Sequence, residues 1–149
     1  MRIYFLAFVL LLFQMSVLTR ILSIEYTIPD LLTIFIILYT LKNPPAQAFK
    51  LAVFTGIMQD LLSPTGLLFN TFTKSAIVVV TLMFREKFYY SSVFVRGLLI
   101  VAVTLIDIGI KSSIIFFKTG IFEVGYQQMV YLLMNFIIFY AVSVADELR

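Results

Sequence analysis

The fold class that this sequence predicts is an all-α, polytopic membrane protein, and three observations predict it. Apolar residues make up 62% of the chain and charged residues only 13%. The mean hydropathy of +1.06 lies far outside the range of soluble domains. Runs such as Ile3 to Phe13 and Val93 to Val103 leave too few polar side chains to cover a water-facing surface. No linker, low-complexity tract or internal repeat divides the sequence, so residues 1–149 read as a single transmembrane helical domain.

A bilayer core takes about 20 helical residues to cross, which gives about six spans. The first runs from Ile3 to Leu22. Arg2 precedes it, but Ser16 to Arg20 contains no small-x-small cleavage site, so an uncleaved helix is expected rather than a signal peptide. The second, Pro29 to Lys42, has proline at a first helical position and Pro44-Pro45 as its stop. It is short, and is expected to tilt little or to be sheltered by its neighbours. The third runs from Ala46 to Leu62 and ends at a Ser63-Pro64-Thr65-Gly66 turn. The fourth covers Gly66 to Phe84, the fifth Val93 to Phe117 and the sixth Phe122 to Ala145.

Six spans put both termini on one side. The flanks on that side carry Arg2, Lys42, Lys50, Arg85, Lys87, Arg96 and Arg149, against Arg20 and Lys118 on the other. The positive-inside rule therefore places both termini in the cytoplasm. Tyr4, Tyr26, Tyr39, Tyr89, Tyr90, Tyr126 and Tyr140 fall near span ends, where an amphipathic ring prefers the headgroup region.

Cysteine and histidine are both absent, and the eight acidic residues are scattered, so no metal or other cofactor is expected. The net charge of +3 comes from basic residues that flank apolar runs instead of forming a patch, which argues against a nucleic-acid partner. Arg85-Glu86-Lys87, followed by Phe88, Tyr89 and Tyr90, suits anionic lipid headgroups or a cytoplasmic protein.

Polar residues inside the spans are the candidate functional residues. Ala48, Ala52, Gly56 and Asp60 recur every four positions, placing three small side chains and a carboxylate on one helix face. Such a stripe serves internal helix packing, the reading preferred here, or a seam for a partner helix. Asn70 and Lys74 share a face of the fourth helix, and Asp107 and Lys111 form an i,i+4 pair on the fifth, in line with Thr104. A carboxylate in a span costs about 2.5 to 3.5 kcal/mol, so a partner is expected for Asp60. Lys74 or Lys111 is the expected one, in a polar cluster of Asp60, Asn70, Lys74, Asp107 and Lys111 opening outward; lysines snorkelling to the interface are the alternative. Gln14, Gln127, Gln128 and Asn135 are expected to make helix-to-helix hydrogen bonds.

The run Ile28-Pro29-Asp30-Leu31-Leu32, followed by Gly56-Ile57-Met58-Gln59-Asp60 and the turn to Gly66-Leu67, resembles the rod-shape-determining MreD family. Pro29, Gly56, Asp60 and Gly66 match its pattern. The resemblance implies a non-enzymatic, multi-pass subunit of the bacterial inner membrane, part of the elongation machinery that builds the lateral cell wall. It implies contact with MreC and, through it, with MreB and the cell-wall synthases, and no catalytic residues. The small stripe on the third helix is a physically sensible place for the MreC span.

The same family is similar in architecture to the substrate-binding subunits of energy-coupling-factor vitamin transporters, which supplies an alternative function. Those subunits carry an alanine-x-x-x-alanine motif in their first helix, whereas Ala7 stands alone here. An aspartyl intramembrane protease using Asp60 and Asp107 is a third reading. Against it, Asp107 lacks the glycine-x-glycine-aspartate context, and Lys111 lies one turn away.

Overall fold

The computed structural model of the chain describes residues 2–15, 29–62, 69–88, 93–120 and 125–147. These residues form six α-helices and no strand: α1 (Arg2–Met15), α2 (Leu31–Lys42), α3 (Pro45–Leu62), α4 (Phe69–Phe88), α5 (Val93–Thr119) and α6 (Tyr126–Glu147). The fold is all-α. The Ser63 to Gly66 turn, and with it the motif residue Gly66, lies outside the described residues, as do Arg20 and Tyr26.

Local chemistry explains several boundaries. Asp30 is the N-cap of α2, and its side chain accepts from the Thr33 N–H. Asn43 closes the same helix, its backbone and side-chain N–H groups both donating to the Tyr39 carbonyl. Pro45 then opens α3 at a position that needs no N–H donor. Gly120, at φ +72°, ends α5 in the left-handed conformation that glycine adopts without strain, and its N–H reaches the Phe116 carbonyl at 2.8 Å.

Two apolar clusters make the core. Ile34, Ile37, Leu41, Ile77, Leu99, Ile100, Val103 and Phe139 join α2, α4, α5 and α6. Ile36, Ala48, Ala52 and Val78 join α2, α3 and α4. The α3/α4 interface is the most extensive, and α4 also packs on α2 and α5. Helix α2 is covered by α1, α3, α4 and α6. Its buried residues occupy somewhat more than half of its circumference, and Leu31, Phe35, Leu38 and Tyr39 on the remaining side are half-buried.

The outer surface is apolar. Phe5, Phe72, Met83, Phe117 and Met129 are each more than 60% exposed, and exposed Leu, Ile or Val side chains accompany them on every helix except α2. Among the described residues one helix is, by length and composition, long and apolar enough to cross a membrane, through the 20 residues Tyr126–Ala145. Helices α4 and α5 are as long or longer but carry more charge, and α2 has 12 residues.

Candidate functional site

The polar residues gather at one end of the bundle, on the C-terminal parts of α1, α3 and α5 and the N-terminal parts of α2, α4 and α6. Asp30 is their centre. One carboxylate oxygen accepts from the Thr33 N–H at 2.9 Å and from Gln14 Nε2 at 3.4 Å. The other accepts from Thr33 Oγ1 at 2.8 Å and Lys74 Nζ at 2.6 Å. Lys74 also donates to Thr33 Oγ1 at 2.5 Å. The Asp30 and Lys74 side chains are 4% and 1% exposed, so the pair is sealed from solvent. Gln14 Oε1 accepts from the Leu32 N–H, and Asn135 Oδ1 from the Asp30 N–H, which ties α1 and α6 to the start of α2.

A second pair sits beside the first. Lys111 Nζ lies 2.6 Å from Asp107 Oδ2, and Tyr131 Oη donates to the same oxygen at 2.9 Å. The Lys111 ammonium is 5.3 Å from the Tyr131 ring centroid and 3.9 Å from Asp30 Oδ2. It is 29% exposed, whereas Asp107 is fully buried. Two carboxylates and two ammonium groups thus close on one another across α2, α4, α5 and α6. Breaking one such buried pair by removing a single partner costs about 3 to 5 kcal/mol, because a charge is left uncompensated.

Asp60 belongs to a different arrangement, which corrects the expectation that Lys74 or Lys111 balances it. Its Oδ1 accepts from the Asn70 N–H at 2.7 Å and Asn70 Nδ2 at 2.9 Å. Its Oδ2 accepts from the Thr71 N–H at 3.0 Å and Thr71 Oγ1 at 2.7 Å. The end of α3 therefore caps the first turn of α4. Free N–H donors and the positive end of the helix dipole compensate the carboxylate, so no cation is needed. The expected cluster divides: Asp60 with Asn70, and Lys74, Asp107 and Lys111 with Asp30.

The small stripe faces inward. Ala48 and Ala52 are fully buried, and a Cβ on Gly56 would collide with the Thr71 backbone of α4. The preferred reading of Ala48, Ala52 and Gly56 as an internal packing stripe is what the structure shows, and the alternative of a seam for a partner span is set aside, since neighbouring helices occupy that face. Pro29 is buried, its carbonyl accepting from the Leu31 N–H at 3.1 Å.

Sequence reasoning missed Asp30, Thr33 and Tyr131. A signal existed for each: Asp30 and Thr33 have N-cap spacing after Pro29, and Tyr131 is the one tyrosine away from a span end. Asp60 and Asp107 have separate partners and no hydrogen bond joins them, so the geometry does not assemble an aspartyl dyad. Among the described residues no group of three or more acidic, histidine or cysteine side chains is placed to hold a metal.

Two apolar grooves open on the surface. One of about 350 Å³ is lined by Ile3, Phe35, Leu38, Tyr39, Lys42, Asn43 and Val142, and one of about 500 Å³ lies along α5 and α6 near Leu105, Ile108, Tyr126 and Met129. Neither is lined by Asp30, Lys74, Asp107 or Lys111. The network thus clamps helices and lies apart from both grooves. Comparison with known proteins found no match to a family model, to a curated protein or to a solved structure.

Proposed function

We propose that this chain is a six-span subunit of the bacterial inner membrane, both termini cytoplasmic, that belongs to the MreD family and acts by helix contact with MreC in the cell-elongation machinery. The observation that carries the reading is that every charge in the buried network is spent on internal contacts, while apolar side chains face outward on five helices. A protein built this way has helix faces to offer a membrane partner.

Several features support the finer points. The motif residues Gly56 and Asp60 fix α3 against α4, and Asp30 anchors Lys74, so the resemblance falls on positions the fold depends on. Packing of α2 against four other helices suits a helix of 12 residues, about 18 Å long, to serve as a short span that meets lipid only along its Phe35 and Leu38 side. Arg2, Lys42, Lys50, Arg85 and Arg96 lie at the bundle end opposite the network, in keeping with a cytoplasmic face there.

With the α3 stripe filled, contact with MreC falls to an outward face. Gly109 of α5 is exposed, and a Cβ there would meet nothing within 4 Å, so it gives a partner helix close access to the backbone.

The test is purification of the tagged protein in mild detergent, with mass spectrometry of co-purifying proteins and small molecules. Recovery of MreC, reduced by Gly109→Leu, is the expected result. Recovery of a vitamin-like ligand, or of transporter coupling and ATPase subunits without MreC, would replace this reading with the transporter one.

A further inference from the structure

Thr104 Oγ1, Asp107 Oδ1 and Asn135 Nδ2, on neighbouring turns of α5 and α6, have no hydrogen-bond partner among the described residues; Ser143 Oγ, about two turns further along α6, is another such atom. Thr104, Asp107 and Asn135 are 1%, 0% and 0% exposed. Buried polar groups left unsatisfied are rare and costly, so three on one seam call for a common explanation.

Register brings them to one place. Tyr131 Oη bonds Asp107 Oδ2, which fixes that level of α6 against α5. The two helices are consecutive, joined by a short connection, and antiparallel. One turn back along α5 from Asp107 is Thr104, and one turn forward along α6 from Tyr131 is Asn135. Asn135 is held in a defined orientation, because its Oδ1 accepts the Asp30 N–H at 3.0 Å, which leaves Nδ2 on the side of the Tyr131 hydroxyl.

We propose that the α5/α6 seam holds one water molecule on Thr104, Asp107 and Asn135. The donor and acceptor inventory suits water: Asp107 Oδ1 accepts, Asn135 Nδ2 donates and the Thr104 hydroxyl does either. Three hydrogen bonds are what a buried water typically makes. Charge decides against a monovalent cation. Asp30 and Asp107 already balance Lys74 and Lys111, and a further positive charge in the same buried space would face two ammonium groups. The water joins the two ion pairs into one unit, because Asn135 already holds the backbone of Asp30. This inference is independent of the proposed partner.

Two measurements test it. In an experimental structure of the full chain that resolves ordered solvent, from crystals soaked in thallium(I), one solvent peak is expected at about 3 Å from all three atoms, without anomalous signal. An anomalous thallium peak there would replace the water with a cation site. Absence of any peak, with the three atoms bonded elsewhere, would overturn the inference. In solution, Thr104→Val is expected to lower the melting temperature of the otherwise wild-type chain and to leave it unchanged in an Asn135→Leu background, where the water has already lost a partner. An equal effect in both backgrounds would contradict a shared water.

Discussion

Lys74 Nζ and Asp30 Oδ2 lie 2.6 Å apart, joined across 44 positions of sequence, and both side chains are closed to solvent. The contact ties the second turn of α4 to the cap of α2, where Thr33 donates to the carboxylate and accepts from the ammonium. It turns two costly buried charges into a fixed reference point on which α1 and α6 also converge through Gln14 and Asn135.

The cap that Asp60 provides to α4 is expected to respond to charge and shape separately. Asp60→Asn keeps one acceptor oxygen, turns an NH2 group toward the donors that the other oxygen served and loses the charge that complements the helix dipole, costing about 1 kcal/mol or more; Asp60→Ala removes all four hydrogen bonds and costs about 2 kcal/mol or more. Thermal unfolding in detergent measures both. Equal losses would mean that the hydrogen bonds an amide oxygen can still accept contribute nothing once the charge is gone.

Three helical glycines are expected to rank by what surrounds them. Gly56→Ala drives a methyl group into the α4 backbone, which cannot step aside, and is expected to cost about 1 to 3 kcal/mol. Gly97→Ala meets Phe136 Cε2 at 2.8 Å, a side-chain contact that ring rotation relieves, so its cost is smaller. Gly109→Ala meets nothing within 4 Å and is expected to be neutral or to stabilise by up to about 1 kcal/mol through helix propensity. Melting temperatures of the three variants check the order.

The proposed six-span topology is open to direct labelling, because the chain has no cysteine to give background. Gln47 and Gly125 are exposed at opposite ends of the bundle. In intact spheroplasts a membrane-impermeant maleimide is expected to label Gly125→Cys readily and Gln47→Cys only after permeabilisation. Labelling of both from outside would rule out the topology.

The helices themselves were legible because apolar runs and proline or glycine stops are local signals. The expected span Gly66 to Phe84 stops before the charged run Arg85-Glu86-Lys87, yet α4 continues to Phe88, since helical hydrogen bonding is indifferent to the polarity of those side chains. The Asp107–Lys111 pair was legible through its i,i+4 spacing. The counter-ion of Lys74 was not, because spacing carries no information on pairing between distant helices. Asp60 misled for a related reason: its partners are largely backbone N–H groups of another helix, which no side-chain type announces.

The central claim is that the buried charges are closed internal pairs with Asp30, and not Asp60, as the partner of Lys74. A double-mutant cycle tests it most directly, with unfolding free energy measured for Asp30→Asn, Lys74→Met, Asp60→Asn and the two doubles that contain Lys74→Met. The account expects a coupling on the order of 2 kcal/mol between Asp30 and Lys74, and losses for Asp60 and Lys74 that add within about 0.5 kcal/mol. Additive losses at Asp30 and Lys74, with strong coupling at Asp60 and Lys74, would contradict it.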